Sequence, residues 1–242
     1  MKVERSRCRV CGHRSKGVFC NLADSQLTKL EREKTVHKYE RGQVIFYEGN
    51  TPLGIYCIHS GRVKLFKTNR LGKQLVTRIL GPGDTMAYRA LLSKEPCSST
   101  AEAVEPSTIC VISKETLFYL LKESGDLALR FLEKLGHDLG VTEDQMMQLA
   151  LETIQQRTAR LLLLLQEGCS KKSEKDTEIK IPFLRREMAE MIGASIESLI
   201  RTLGQFTKRG LIKVEGKEIH FSNLISLRRL AYGSDSETDL NQ

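Results

Sequence analysis

Between Tyr39 and Ser113 the chain cannot run far in one direction, because Gly42, Gly49, Gly61, Gly72, Gly81-Pro82-Gly83 and Pro106 break it into short segments rich in Val, Ile, Leu and Tyr. Turn residues at roughly ten-residue spacing exclude long helices and supply hairpins, so this stretch reads as an antiparallel sandwich or jelly roll. From Glu115 to about Gln166 proline is absent and apolar residues recur at helical spacing. A polar linker, GCSKKSEKDTE from Gly168 to Glu178, leads into a small basic module, and the acidic end GSDSETDLNQ reads as disordered. The expected class is α+β. The expected domains are a cysteine-bearing leader (1–25), a sandwich (26–122), a long helix (123–154), a C-terminal module (155–232) and an acidic tail (233–242).

A chain of 242 residues suffices for one large or two modest cores. Its formal charge of +8 suggests contact with a polyanion. The densest apolar run, Leu161 to Leu165, is bounded by Arg160 and Gln166, so no membrane span is expected. The opening MKVERSRCRVCGHR lacks the apolar core of a secretion signal. A cytoplasmic location is therefore expected, where the seven cysteines serve better as reduced thiols or metal ligands than as a disulfide framework.

Within the helical stretch, Ala128, Leu132, Leu135, Leu139, Thr142, Met146, Leu149 and Thr153 step by threes and fours, an a/d seam repeated over successive heptads. Such a stripe needs a partner, either a second copy of the helix or the chain's own sandwich. The polar Thr142 and Thr153 would weaken a seam and leave it open to regulation. The dimer reading assigns Leu132, Leu135, Leu139, Thr142, Met146 and Leu149 to the interface.

The module IPFLRREMAEMIGASIESLIRTLGQFTKRGLI gives an amphipathic helix to about Met191, a turn at Gly193-Ala194, and a second helix capped by Ser195 and ending near Gly210. At 100° per residue Ile196, Leu199, Ile200, Leu203 and Phe206 fall on the inner stripe, while Glu197, Ser198, Arg201, Gln205 and Lys208 face outward. Two short strands, LIKVEG and KEIHFS, follow as a wing. This is the pattern of a winged helix-turn-helix. In a major groove, Arg201 can donate to guanine O6 and N7, and Glu197 can accept from cytosine N4. From Lys180 to Arg229 ten basic residues face five acidic ones, the footprint of a duplex-DNA binder. Taken singly, Glu197 also suits a helix N-terminus and Arg201 a solvated surface. Catalysis is not expected, for the chain carries no Gly-rich phosphate loop, no H-E-x-x-H and no nucleophile elbow.

Four cysteines suggest a metal site: Cys8 and Cys11 as C-x-x-C, Cys20 soon after, and Cys110 far along the chain. A metal held by all four would tie the leader to a remote part of the fold, the layout of a sensor. Zinc, with His13 as a further donor, and unligated thiols remain alternatives. Cys57, Cys97 and Cys169 read as structural or incidental.

Through the glycines of HSGRVKLF and LGPGDTMA, the long helix and the segment ASIESLIRTLGQFTKRGLI, the chain resembles the Crp/Fnr transcription regulators over nearly its whole length. The resemblance implies a jelly roll of the cyclic-nucleotide-binding type, a dimerisation helix and a winged helix-turn-helix. It further implies a homodimer on a palindromic site in double-stranded DNA, with RNA polymerase as partner. Glu197 and Arg201 match the family's base-reading pair, whereas Ile200 stands where the Fnr branch usually has serine.

Two places separate the branches. The cyclic-nucleotide branch needs a glutamate after the GD turn and an arginine for the phosphate. Here the first region reads GDTMAYRALL, and Cys97 of EPCSSTAEA stands in the arginine's place. A cyclic nucleotide is thus not expected, since its phosphate would lack a guanidinium. The Fnr branch implies a 4Fe-4S iron-sulfur cluster on Cys8, Cys11, Cys20 and Cys110, sensing oxygen or nitric oxide. The interval between Cys11 and Cys20 is longer than in the best-known members.

Overall fold

The computed structural model describes residues 8–13, 17–169, 178–180, 183–216 and 218–233. The acidic tail (234–242) and most of the polar linker (170–177) lie outside them. Contacts divide the chain into two units, 1–72 with 77–142, and 73–76 with 143–242. The expected α+β class holds, with a sandwich, a long helix and a helix-turn-helix module. No described helix is long and apolar enough to cross a membrane.

The first unit opens with a 3-10 turn at Cys8–Val10 and helix α1 (Asp24–Glu33). Strands follow at β1 (Thr35–Tyr39), β2 (Val44–Phe46), β3 (Gly54–Ser60), β4 (Val63–Thr68), β5 (Gln74–Leu80) and β6 (Thr85–Met86). After the short helix α2 (Tyr88–Ser93) come β7 (Thr100–Ala103) and β8 (Ser107–Ser113). Two four-stranded sheets result, in the orders β1-β8-β3-β6 and β2-β7-β4-β5. The glycines do the work the sequence implies at a tight turn: Gly61 has φ +85°, and a Cβ there would meet the Pro106 carbonyl at 2.6 Å.

Alternation along β3 and β8 sorts side chains into two cores. Tyr56, Ile58 and Ile109 face inward onto Phe46, Val63, Leu80 and Met86. Ile55 and Ile112, opposed in register, face outward. Onto that outer face pack Leu27 and Leu30 of α1, Leu117 and Leu120 of α3 (Lys114–Glu123), and Leu127 and Phe131 of α4 (Gly125–Leu151). Burying each such side chain is worth about 1.5–3 kcal/mol, enough to seat the helices on the sheet.

The single helical stretch read from sequence is three helices. Ser124 interrupts it and caps α4, its hydroxyl accepting from the Leu127 N–H at 3.2 Å. A second break at Glu152–Thr153 precedes α5 (Ile154–Cys169), so Thr153 leaves the seam and bonds Gln156 instead. On α4 the face bearing Leu127 and Phe131 is buried, whereas Leu132, Leu139, Thr142, Met146 and Leu149 are exposed and Leu135 is half-buried.

The second unit contains α6 (Arg185–Met191), α7 (Ile196–Lys208), β9 (Glu178–Lys180), β10 (Ile212–Glu215), β11 (Glu218–Phe221) and α8 (Leu224–Tyr232). The strands form one sheet in the order β10-β11-β9. Helices α7 and α8 both pack on α5.

Candidate DNA-reading helix and thiol pocket

The turn between α6 and α7 depends on Gly193, whose φ of +61° is a conformation that side chains disfavour. Helix α7 then starts at Ser195, whose hydroxyl accepts from the Ser198 N–H at 3.2 Å, as its sequence position implies. Leu199, Leu203 and Phe206 are buried, but the inner stripe read from sequence needs correction. Ile196 and Ile200 are 38% and 55% exposed, and Thr202 is buried in their stead. Its hydroxyl is satisfied by donating to the Ser198 carbonyl at 2.8 Å, so burial leaves no polar group unpaired.

Glu197, Arg201, Gln205 and Lys208 are exposed on α7, and Ser198 is half-buried. The backbone N–H of Glu197 itself, then the Ser195 hydroxyl, hold the Glu197 carboxyl below the usual carboxylate range. This is the charge a helix N-terminus favours. Gln205 is turned toward α5, where its amide oxygen accepts from Gln155 at 2.9 Å. Of the outward residues, Arg201 and Lys208 therefore bring positive charge to the surface, while Gln205 also braces the helix.

The second candidate site is a cavity of about 80 Å³ on the outer face of the β3–β8 sheet. The leader contributes Cys8, Cys11, His13 and Phe19; α1 contributes Leu27, Leu30 and Lys34; the strands contribute Cys57, His59 and Cys110. Lys34 donates to the Cys8 sulfur at 3.0 Å, and the Cys11 sulfur lies 3.6 Å from His59 Nδ1. Burial pushes the Cys57 thiol up, reinforced by Cys110 and Cys8 nearby. Burial likewise raises Cys8, against the opposing pull of Lys34.

Of the four cysteines singled out in sequence, Cys8, Cys11 and Cys110 line this cavity and Cys20 does not. Cys20 sits in a turn, its N–H donating to the Gly17 carbonyl at 3.0 Å and its carbonyl accepting from Arg130 of α4 at 2.6 Å. Cys57, read as incidental, lines the cavity instead. Its register opposite Cys110 is a long-range pairing that spacing along the chain does not reveal. Cys97 belongs to the inner core, as expected of a structural cysteine, and the Cys169 side chain lies outside the described ones. Among the described residues no three His, Cys, Asp or Glu side chains converge closely enough to grip one metal ion. The donor chemistry nonetheless suits a soft metal, with four thiols on one cavity and an ammonium to offset their charge.

A larger cavity of about 800 Å³ lies between the sandwich and α4, lined by Phe46, Arg78, Tyr88, Arg89, Cys97 and Ser98 and by Leu135 and Leu139 of α4 among others. Both guanidiniums in it are engaged. Arg78 pairs with the Asp138 carboxylate and donates to its carbonyl at 2.9 Å, and Arg89 bonds Glu95 at 2.8 Å.

The sequence matches two family models, the cyclic nucleotide-binding domain over residues 36–124 and the Crp-like helix-turn-helix domain over residues 156–230. It is 26% identical to the regulatory protein HlyX of Actinobacillus pleuropneumoniae over 92% of this chain and 95% of that one. It is 27% identical to the fumarate and nitrate reduction regulatory protein of Escherichia coli (strain K12), over 84% of this chain and 79% of that one. The fold is shared with FixK2 from Bradyrhizobium japonicum, with a TM-score of 0.73 at 21% identity, covering 83% of this chain and 98% of that one. A sandwich of this type joined to such a reading module defines a DNA-binding transcription regulator. The chain belongs to the Crp/Fnr family.

Proposed function

We propose that this regulator works as a homodimer on palindromic promoter DNA, recruits RNA polymerase, and is switched by a 4Fe-4S cluster in the thiol pocket that reports oxygen or nitric oxide. The reading rests on one observation: Cys8, Cys11 and Cys110, far apart in sequence, line a single cavity beside the root of the seam helix. Bound there, an iron-sulfur group supplies a centre held by four thiolates and labile to oxidants. Cys8, Cys11 and Cys110 would be three of those thiolates. The family resemblance suggests Cys20 as the fourth, and the pocket also offers Cys57.

The residues around the pocket supply a route to the seam. Phe19 packs edge-on against Phe131 of α4, with ring centroids 6.0 Å apart, and Arg130 of the same helix holds the Cys20 carbonyl. Ligation of Cys8 and Cys11 fixes the leader, and with it these contacts on one side of α4. A neighbouring face carries the exposed Leu132, Leu139, Met146 and Leu149, which pair with a second copy. Two α7 helices then enter successive major grooves about 34–36 Å apart. Only the difference in ligand affinity between monomer and dimer drives this, about 1.4 kcal/mol for each tenfold shift.

A zinc-stabilised regulator answering to another effector in the sandwich is the second reading, favoured by His13 and His59 on the same cavity. Protein purified without oxygen distinguishes the two. Brown protein carrying iron and acid-labile sulfide, whose dimers dissociate on exposure to air, supports the cluster. Colourless protein with stoichiometric zinc supports the alternative.

A further inference from the structure

The outward face of α7 carries two parallel rows of residues, each row stepping by four so that successive members stack along one side of the helix. Glu197, Arg201 and Gln205 make the polar row, and Ile196, Ile200 and Gly204 make the row beside it. Leu199, Thr202, Leu203 and Phe206 are buried on the other side. A single apolar side chain at a surface is ordinary. Here Ile196 at 38% and Ile200 at 55% exposure follow one another along one row, on the helix that a DNA-binding module presents to its duplex. The row continues through a glycine that the fold does not require. Gly204 is helical, its φ is not positive, and a Cβ there would meet nothing within 4 Å. Alanine would fit the same place and favour the helix more. The result is an open apolar strip that runs on from the polar row, with room for a partner to come close at Gly204.

From this placement we infer that Ile200 reads a thymine, closing its side chain over the 5-methyl group in the major groove beside the bases met by Glu197 and Arg201. The inference rests on the reading above, in which α7 enters the groove, and names part of the half-site. At 100° per residue Ile200 lies about 60° around the helix from Glu197, and Arg201 about 40° to the other side, so all three fall within one groove-facing arc. Thymine is the base that offers an apolar group on the major-groove edge, where the other bases show hydrogen-bond donors and acceptors. A polar edge set against Ile200 would lose water and gain no partner, which disfavours the other bases at that place. Ile196, the less exposed of the two, borders the contact, and Gly204 lets the groove approach the helix backbone. Arg201 and Lys208, both exposed, supply the charge that holds this face against phosphates.

The test uses the full-length chain purified without oxygen. Selection from a pool of duplexes of random sequence gives the preferred site of the wild type. Each thymine of that site is then replaced in turn by deoxyuridine, which deletes the methyl group and keeps every hydrogen-bonding group. One thymine in each half-site is expected to be sensitive, with a loss of about fourfold for each half-site altered, the effect of uncovering one methyl group. Ile200→Ser should bind thymine and deoxyuridine equally at that position and keep the wild-type preference elsewhere. Gly204→Leu adds a side chain into open space and leaves the circular dichroism unchanged, yet should bind the site at least tenfold more weakly. A selected site with no deoxyuridine-sensitive position, or one to which Ile200→Ser responds as strongly as the wild type, overturns the inference and leaves DNA reading by α7 standing. Full affinity in Gly204→Leu overturns it as well, since the strip would then lie outside the groove. Wild-type protein that selects no sequence from the pool removes base reading by α7 and this inference together.

Discussion

Arg130, on the helix that carries the exposed seam, donates to the backbone carbonyl of Cys20 at 2.6 Å, bridging 110 positions of sequence. A guanidinium bond to a carbonyl in a half-buried setting is worth about 1.5–3 kcal/mol. It joins the leader to α4 without using a thiol. Arg130→Ala is therefore expected to retain wild-type metal while weakening dimerisation about tenfold or more under anaerobic conditions. Sedimentation against concentration, alongside metal analysis, checks this; unchanged dimerisation would remove Arg130 from the route between pocket and seam.

Arg201 is exposed on α7, one turn beyond Glu197. Replacing it with alanine should cost about 1–3 kcal/mol on a specific site and relax preference at one base pair. Lys208→Ala should weaken matched and mismatched sites alike and flatten the salt dependence by about one unit of slope. Equal losses on both sites for Arg201→Ala would show that it contacts backbone rather than base.

Much of the reading module is legible in sequence because its signals are local. Ser195 caps, Gly193 turns, and the wing strands flank Gly216. The inner stripe misleads where apolar residues are too many for the covered face, since Ile196 and Ile200 remain exposed while Thr202 is buried by bonding its own helix. Helices α1 and α8, which the sequence reading does not single out, are short amphipathic segments that pack on α3 and β8 and on α5 respectively. The place of Cys57 on the pocket is hidden for a different reason, because only the β3–β8 register brings it to Cys110.

Gly193 has φ +61°, and a Cβ there would lie 2.9 Å from Leu149 Cδ2. Gly193→Ala is expected to destabilise the second unit by about 1–2 kcal/mol, the cost of a left-handed conformation with a side chain. Urea unfolding monitored by circular dichroism measures this, and an unchanged midpoint would contradict it.

Leu139 is 60% exposed, so a charge there does not disturb the folded chain. Across a dimer seam the same charge would be buried unpaired, at about 3–5 kcal/mol. Leu139→Glu should thus leave the thermal transition of the sandwich intact and abolish dimers. A dimeric variant in sedimentation would show that the stripe serves another purpose.

In the proposed mechanism a metal-thiolate centre including Cys110 governs DNA binding. The most direct measurement is titration of one palindromic DNA duplex with anaerobic Cys110→Ser, Cys97→Ser and wild type, with iron and sulfide determined on the same samples. Cys110 lines the pocket and Cys97 belongs to the inner core. Cys110→Ser is expected to lose the cluster and to bind at least tenfold more weakly, about 1.4 kcal/mol, while Cys97→Ser matches wild type in both. Wild-type affinity in Cys110→Ser protein shown to hold neither iron nor sulfide would contradict it.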